Sequence, residues 1–125
     1  MNMPLGEMRK SFAHAWDGLC TAFRDERSFR IQIAATLVIC IAIVLLPLER
    51  WERVMLLMAT ALVLVLELVN SMVERLVDLV KPRLHSYVKE IKDLMAAAVL
   101  VAAVFAAAIG VLILAPYAQF VLGRV

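Results

Sequence analysis

Hydrophobic and polar positions divide this chain into three long apolar runs separated by charged stretches. Ile33 to Leu48 is uncharged, and Leu94 to Leu114 is uncharged throughout. Val54 to Val73 is interrupted by one charge, Glu67, and by the polar pair Asn70 and Ser71. A hydrocarbon core of about 30 Å takes about 20 helical residues at about 1.5 Å of rise each. The second and third runs meet that length, and the first does once Ile31 and Gln32 are counted at its interface end. None alternates polar and apolar positions, which argues against barrel strands. The pattern predicts an all-α integral membrane fold with transmembrane helices over 31–48, 54–78 and 92–116, the second continuing past the membrane.

The residues ahead of the first span follow a different rule. Phe12, Trp16, Leu19 and Phe23 are spaced i, i+4, i+7 and i+11, which keeps them within about 60° on a helix. Arg9, Lys10, His14, Asp17, Thr21, Arg24 and Asp25 fill the rest of the circumference. This predicts an amphipathic helix over 4–29, lying in the plane of the interface. With no repeat, low-complexity tract or flexible linker, residues 1–125 read as a single domain.

Charge sets the expected orientation. Five basic residues (Arg9, Lys10, Arg24, Arg27, Arg30) precede the first span, and five more (Arg75, Lys81, Arg83, Lys89, Lys92) separate the second from the third. The short connector from Glu49 to Arg53, which Pro47 helps to open, carries Arg50 and Arg53, and the C-terminal end carries Arg124. The positive-inside rule places the N-terminus and the second loop in the cytoplasm. The first run starts too late, and lacks the small-residue cleavage site, for a signal peptide.

Composition narrows the function classes. The chain is 64% hydrophobic and 19% charged, with mean hydropathy +0.89, whereas soluble domains run near ~45–50% and ~25%. The net charge of +2, with no basic run interleaved with aromatics, argues against a nucleic-acid partner. Cys20 and Cys40 are too few and too far apart for a disulfide framework or metal cluster, and read as apolar fillers. Trp51 reads as an anchor at the outer interface.

The strongest chemical signal lies in the second span. Glu67, Asn70, Ser71, Glu74 and Asp78 fall at i, i+3, i+4, i+7 and i+11, which places them on one face about 100° wide. A carboxylate inside a membrane helix costs a few kcal/mol on insertion scales, so it faces protein or water and marks function. Counted from Val54, Glu67 lies about 20 Å into a core of about 30 Å, in the cytoplasmic half, with Glu74 and Asp78 nearer the surface. Asn70 and Ser71 equally fit hydrogen bonding between helices, and the stripe as a whole also fits a proton or ion path. Lys92 and Asp93 open the third span at the same level, followed by small Ala96 to Ala98, which permit close helix approach. With Glu26 at the end of the surface helix, these groups can hold Mg²⁺ on a nucleotide's phosphates. The lysine suits phosphate, and a deeper carboxylate suits a lipid hydroxyl proton. No Walker-A loop or soluble-kinase signature is present.

The segment Glu67-Leu-Val-Asn70-Ser71-Met72-Val73-Glu74-Arg-Leu-Val77-Asp78 resembles the signature of the small prokaryotic diacylglycerol kinase / undecaprenol kinase family. Its flanks agree: Asp25-Glu26-Arg27-Ser28-Phe29-Arg30 before the first span, His85 in the loop, and Lys92-Asp93 ahead of an Ala-Ala-Val-Leu run. The resemblance covers nearly the whole chain. It implies an ATP-dependent lipid kinase of the bacterial inner membrane, working as a homotrimer with active sites at subunit boundaries. By that resemblance Glu67 corresponds to the general base, and Glu26 and Glu74 to the Mg²⁺-binding carboxylates. Lys92 and Asp93 match the nucleotide-binding pair, and His14 and His85 fall where family members contact ATP. Trp16, Arg30, Gln32 and Asn70 fall along the lipid-binding and active-site surface, with Asp78 beside them.

The sequence also departs from the family pattern. Met72 stands where a small residue is usual, and Met95-Ala96 where many members have a small pair, sometimes with a serine that touches substrate. Glu7 occupies the position of an arginine used in one branch, for which Arg9 is the nearest substitute. The segments Arg-Lys-Ser-Phe-Ala-His14-Ala and Val77-Asp78-Leu-Val resemble the undecaprenol branch more than the diacylglycerol branch. The main non-enzyme alternative is a small transporter using the Glu67/Asn70/Glu74 stripe. It explains Glu67 but leaves the clustering of Glu26, Glu74, Asp78, Lys92 and Asp93 without a reason, and neither broken spans nor repeats are visible. A structural subunit would not need so many intramembrane charges. Three spans offer few internal faces to cover the stripe, so self-association is expected on either reading.

Overall fold

A computed structural model describes residues 5–80 and 85–123, the side chain of His85 excepted. Among these residues the chain forms four helices: α1 Leu5–Asp25, α2 Arg27–Leu45, α3 Arg50–Val80 and α4 His85–Leu122. The last three are each long and apolar enough to cross a membrane. At about 1.5 Å per residue, α3 runs about 46 Å and α4 about 57 Å, so both outreach a hydrocarbon core of about 30 Å. Pro116 lies inside α4, in its last two turns, where loss of one backbone donor is tolerated.

The stretch expected as one surface helix over 4–29 contains a break. Its first residue, Pro4, lies outside the described residues, and α1 stops at Asp25. Glu26 is extended (φ −109°, ψ 111°) and α2 resumes at Arg27. No proline or glycine marks the break. The cause is a cap formed from the far side: Arg30 Nη1 donates to the carbonyls of Phe23 (3.0 Å) and Arg24 (2.9 Å). Those carbonyls have no partner within α1, and a guanidinium at a helix C-terminus satisfies both them and the dipole.

The turn at the opposite end is equally local. Leu46 N–H bonds back to Ala42 O (2.9 Å), and Pro47 prevents the helix from continuing. Glu52 Oε2 then reaches back to the Glu49 backbone N–H (2.8 Å), the returning half of a capping box. Helix α3 therefore begins at Arg50, and Arg50 to Arg53 form its first turn instead of a loop.

Helix α3 is the centre of the fold, packing most closely against α4 and next against α2. Its buried residues, Leu56, Val63, Glu67, Ser71 and Val77, recur at seven, four, four and six, which is one helical face. An apolar cluster of Leu48, Leu56 and Ile113, joined by Ile39, Ile43, Ile109 and Tyr117, ties the three spans together beside the α2–α3 turn. Toward the other end the same α3 face changes from Leu56 and Val63 to Glu67 and Ser71, and the packing becomes polar. Most of the large apolar side chains of α2 and α4 point outward, as they do in a helix surrounded by lipid or other copies.

Candidate active site

The polar end of the bundle is built where the α1–α2 break meets α3. Glu67 is buried at 6% exposure and accepts a 3.0 Å hydrogen bond at Oε2 from Ser28 Oγ, in the first turn of α2. One turn further along α3, Ser71, also 6% exposed, donates 2.9 Å from Oγ to Glu26 Oε1. The two contacts are reciprocal: a serine of α2 holds a glutamate of α3, and a serine of α3 holds the glutamate that precedes α2. The extended residue at 26 makes this arrangement, because it turns the Glu26 side chain onto α3 two residues before Ser28.

The cluster continues outward from Asn70, beside Ser71, to Glu74 and Arg75 about one turn on and Asp78 about two turns on. Asn70 Nδ2 donates to Glu74 Oε1 at 3.4 Å, while Asn70 Oδ1 is buried without a hydrogen-bond partner. Arg75 Nη2 stands 3.3 Å from Asp25 Oδ2 and 3.7 Å from Glu26 Oε1, fastening the end of α1 to α3. Lys92 of α4 donates to Asp78 Oδ1 at 2.7 Å, and the Glu74 carboxylate also lies within electrostatic reach of Lys92. Glu26, Glu67, Asn70, Glu74, Asp78 and Lys92 thus form one polar band from the deepest residue, Glu67, to the head of α4.

Other sequence-predicted residues are placed differently. Asp93 is exposed and pairs with Lys89 at 2.7 Å, one turn earlier on α4. The hydrogen bond and charge of Asp93 hold the exposed Lys89 ammonium above its ordinary value. His14 and Trp16 are exposed on α1. Arg30 is occupied with the α1 carbonyls. Gln32, one turn after Ser28, lines the head of a groove of about 580 Å³ that continues past Thr36, Thr60 and Val63 to Ala118 of α4. His85 opens α4, and its side chain lies outside the described residues.

Three groups important to this geometry do not emerge from sequence periodicity. Ser28 is a small polar residue in an ordinary charged flank, and only the break at Glu26 turns it onto Glu67. Asp25 and Arg75 count simply as surface charges until α1 is laid beside α3. Ser71, read as a candidate for bonding between helices, makes such a bond, with Glu26.

The resemblance to the kinase family implies Mg²⁺ beside these carboxylates. Among the described residues, no three His, Cys, Asp or Glu side chains are grouped tightly enough to hold a metal ion by themselves. Mg²⁺ that arrives with a nucleotide does not require this, because it keeps several waters and takes one or two carboxylates alongside phosphate oxygens. Glu26, bonded to Ser71, and Glu74, three residues beyond Ser71, are two such carboxylates at neighbouring positions. Asn70, whose Nδ2 bonds Glu74, has in its unpartnered Oδ1 a buried acceptor that a bound cation or its water would satisfy. The residues present fit the ion.

Proteins of known name are similar to most of this chain. The family described as prokaryotic diacylglycerol kinase matches residues 13–114. A diacylglycerol kinase of Synechocystis is 39% identical over 107 residues, 85% of this chain and 61% of that protein. An undecaprenol kinase of Bacillus subtilis is 38% identical over 114 residues, 90% of this chain and 91% of that protein. The diacylglycerol kinase of Escherichia coli K12 is 32% identical over 97 residues, 78% of this chain and 80% of that protein. The chain therefore spans less than two thirds of the Synechocystis protein but most of the other two.

Proposed function

This chain belongs to the prokaryotic diacylglycerol kinase family, and so to the lipid kinases, and on that premise we propose that it transfers the γ-phosphoryl group of ATP to the hydroxyl of a membrane lipid alcohol. The observation that carries the proposal is the polar band: one buried carboxylate, Glu67, deep in the apolar bundle, with three more (Glu26, Glu74 and Asp78) and a lysine stacked toward the polar end. A substrate whose hydroxyl sits at the membrane surface and whose chain lies in lipid meets these groups in that order.

Glu67 accepts the proton of the lipid hydroxyl. The hydroxyl oxygen forms a bond to the γ-phosphorus while the bond from that phosphorus to the β–γ bridging oxygen breaks, and ADP leaves. Phosphoryl transfer demands positioning and charge neutralisation more than covalent participation by the protein. Glu26 and Glu74 would hold Mg²⁺, which when bound would supply charge neutralisation at the phosphates. Lys92 adds a point charge toward them, with Asp78 keeping it oriented, and Asp93, His14 and His85 bind the nucleotide. Trp16, Arg30, Gln32 and Asn70 support the lipid side.

The substrate we favour is undecaprenol over diacylglycerol. The motifs around His14 and Asp78 support it, as does the near-complete length shared with the Bacillus subtilis relative of that name. The enzyme works in the bacterial inner membrane with its N-terminus and polar band in the cytoplasm, a placement supported by ten basic residues on that side against three. It works as a homotrimer. Self-association is supported by the half-buried Glu26, Asn70 and Glu74, which a single copy leaves partly uncovered. The test is transfer of ³²P from γ-labelled ATP in mixed micelles, with undecaprenol and diacylglycerol in parallel, with Mg²⁺ and with EDTA. Mg²⁺-dependent labelling of either lipid is the expected result, stronger for undecaprenol. Labelling of neither by folded protein overturns the proposal and brings the transporter reading forward.

A further inference from the structure

We propose that Ser28 is a positioning residue for Glu67, fixing which oxygen of the carboxylate faces the lipid hydroxyl. The inference rests on the reading of Glu67 as the general base. A glutamate side chain has three rotatable bonds and samples several staggered rotamers unless a contact selects one. Here the selecting contact comes from another helix: Ser28 Oγ donates to Oε2 at 3.0 Å. That bond uses one of the two lone pairs on Oε2, which leaves Oε1 the less encumbered oxygen for the substrate proton.

The reciprocal contact gives the arrangement its precision. Ser28 stands two residues after Glu26, and Glu67 four residues before Ser71, which donates to Glu26 Oε1 at 2.9 Å. One short turn of α2 thus grips α3 at two successive levels, setting the base relative to the carboxylate assigned to the metal. Phe29, next after Ser28, is buried and anchors that turn against the bundle. A base displaced by about 1 Å from its productive position can lose about 10²-fold in rate, so a hydroxyl that never touches the substrate still governs turnover. The opposite serine acts on the other function, since Ser71 contacts the nucleotide-side carboxylate.

The test compares Ser28→Ala, Ser28→Thr, Ser71→Ala and Glu67→Gln as full chains in mixed micelles with ATP, Mg²⁺ and the lipid alcohol. Ser28→Ala is expected to lower kcat about tenfold with KM for ATP within about twofold, and Ser28→Thr, which keeps the hydroxyl, to recover to within about threefold of wild type. Ser71→Ala is expected to raise KM for MgATP with little change in kcat. Wild-type kcat in Ser28→Ala, no recovery in Ser28→Thr, or a rise in KM matching that of Ser71→Ala each overturns the proposal. Should Ser28→Ala fail to fold, Ser28→Cys replaces it: its weaker donor predicts an intermediate kcat, and wild-type kcat overturns the proposal. Glu67→Gln separates the two readings. If it turns over normally, the base assignment itself fails. If it is inactive while Ser28→Ala is unimpaired, only the role of Ser28 is lost.

Discussion

Glu67→Gln replaces one carboxylate oxygen by an amide nitrogen and leaves the side-chain volume almost unchanged. The position is only 6% exposed, so a substitution that altered shape would disturb the packing of α3 and confuse loss of folding with loss of chemistry. Glutamine avoids this. Its amide oxygen can still accept the 3.0 Å hydrogen bond from Ser28. Removing a charge from an apolar site also relieves a solvation cost instead of adding one. The variant is therefore expected to keep its helicity, its assembly state and its KM for ATP. Turnover is another matter, because an amide oxygen is too weak a base to take the hydroxyl proton. General-base catalysis contributes about 10²–10⁴ in rate, which is about 3–5 kcal/mol of barrier at 1.36 kcal/mol per tenfold. The assay is the ³²P-transfer reaction in mixed micelles, with ATP binding measured separately on the same preparation. A kcat within tenfold of wild type refutes the assignment of Glu67. A parallel loss of ATP binding refutes the division of labour between a deep base and a shallower nucleotide site.

Glu26→Gln and Glu74→Gln should raise the Mg²⁺ concentration needed for half-maximal activity, with the defect partly relieved by excess Mg²⁺; a Mg²⁺ titration that superimposes on wild type removes the metal role. Lys92→Ala should raise KM for ATP several-fold by removing the positive charge directed at the phosphates; unchanged nucleotide binding places Lys92 in a purely structural pair with Asp78. Leu56→Ala, at a position 2% exposed among Leu48 and Ile113, should destabilise the bundle by roughly 2 kcal/mol through lost packing, seen as a lower midpoint in thermal or denaturant unfolding in detergent; an unchanged midpoint shows that the cluster beside the α2–α3 turn does not hold the spans together.

Several elements were legible because their signals are local. An uncharged run such as Leu94 to Leu114 implies a membrane helix through its own transfer energy, whatever its neighbours do. The stripe Glu67, Asn70, Ser71, Glu74 was legible for a related reason, since helical periodicity alone sets residues on a common face. Composition likewise pointed to membrane residence without any knowledge of packing. The first surface helix shows where local signals stop. Residues 4–29 carry no breaker at the position where the helix ends, and the residue that caps it, Arg30, follows five residues later, just ahead of what reads as the next span. Arg50 to Arg53 show the converse. They are charged and next to a proline, yet the Glu52 contact to the Glu49 N–H starts α3 among them.

Helicity, residence in a membrane and a face of the second span bearing carboxylates too expensive to bury without purpose all follow from periodicity and solvation, which each segment carries within itself. Which of those groups meet depends instead on how the helices are set against one another. Ser28 with Glu67, Ser71 with Glu26, Arg75 with Asp25 and Lys92 with Asp78 all join residues on different helices. Their pairing follows from where the chain breaks at Glu26 and how α2 and α4 are rotated against α3. A hydrogen bond needs its atoms near 3 Å and aligned, and spacing along one helix constrains nothing about the rotation of another.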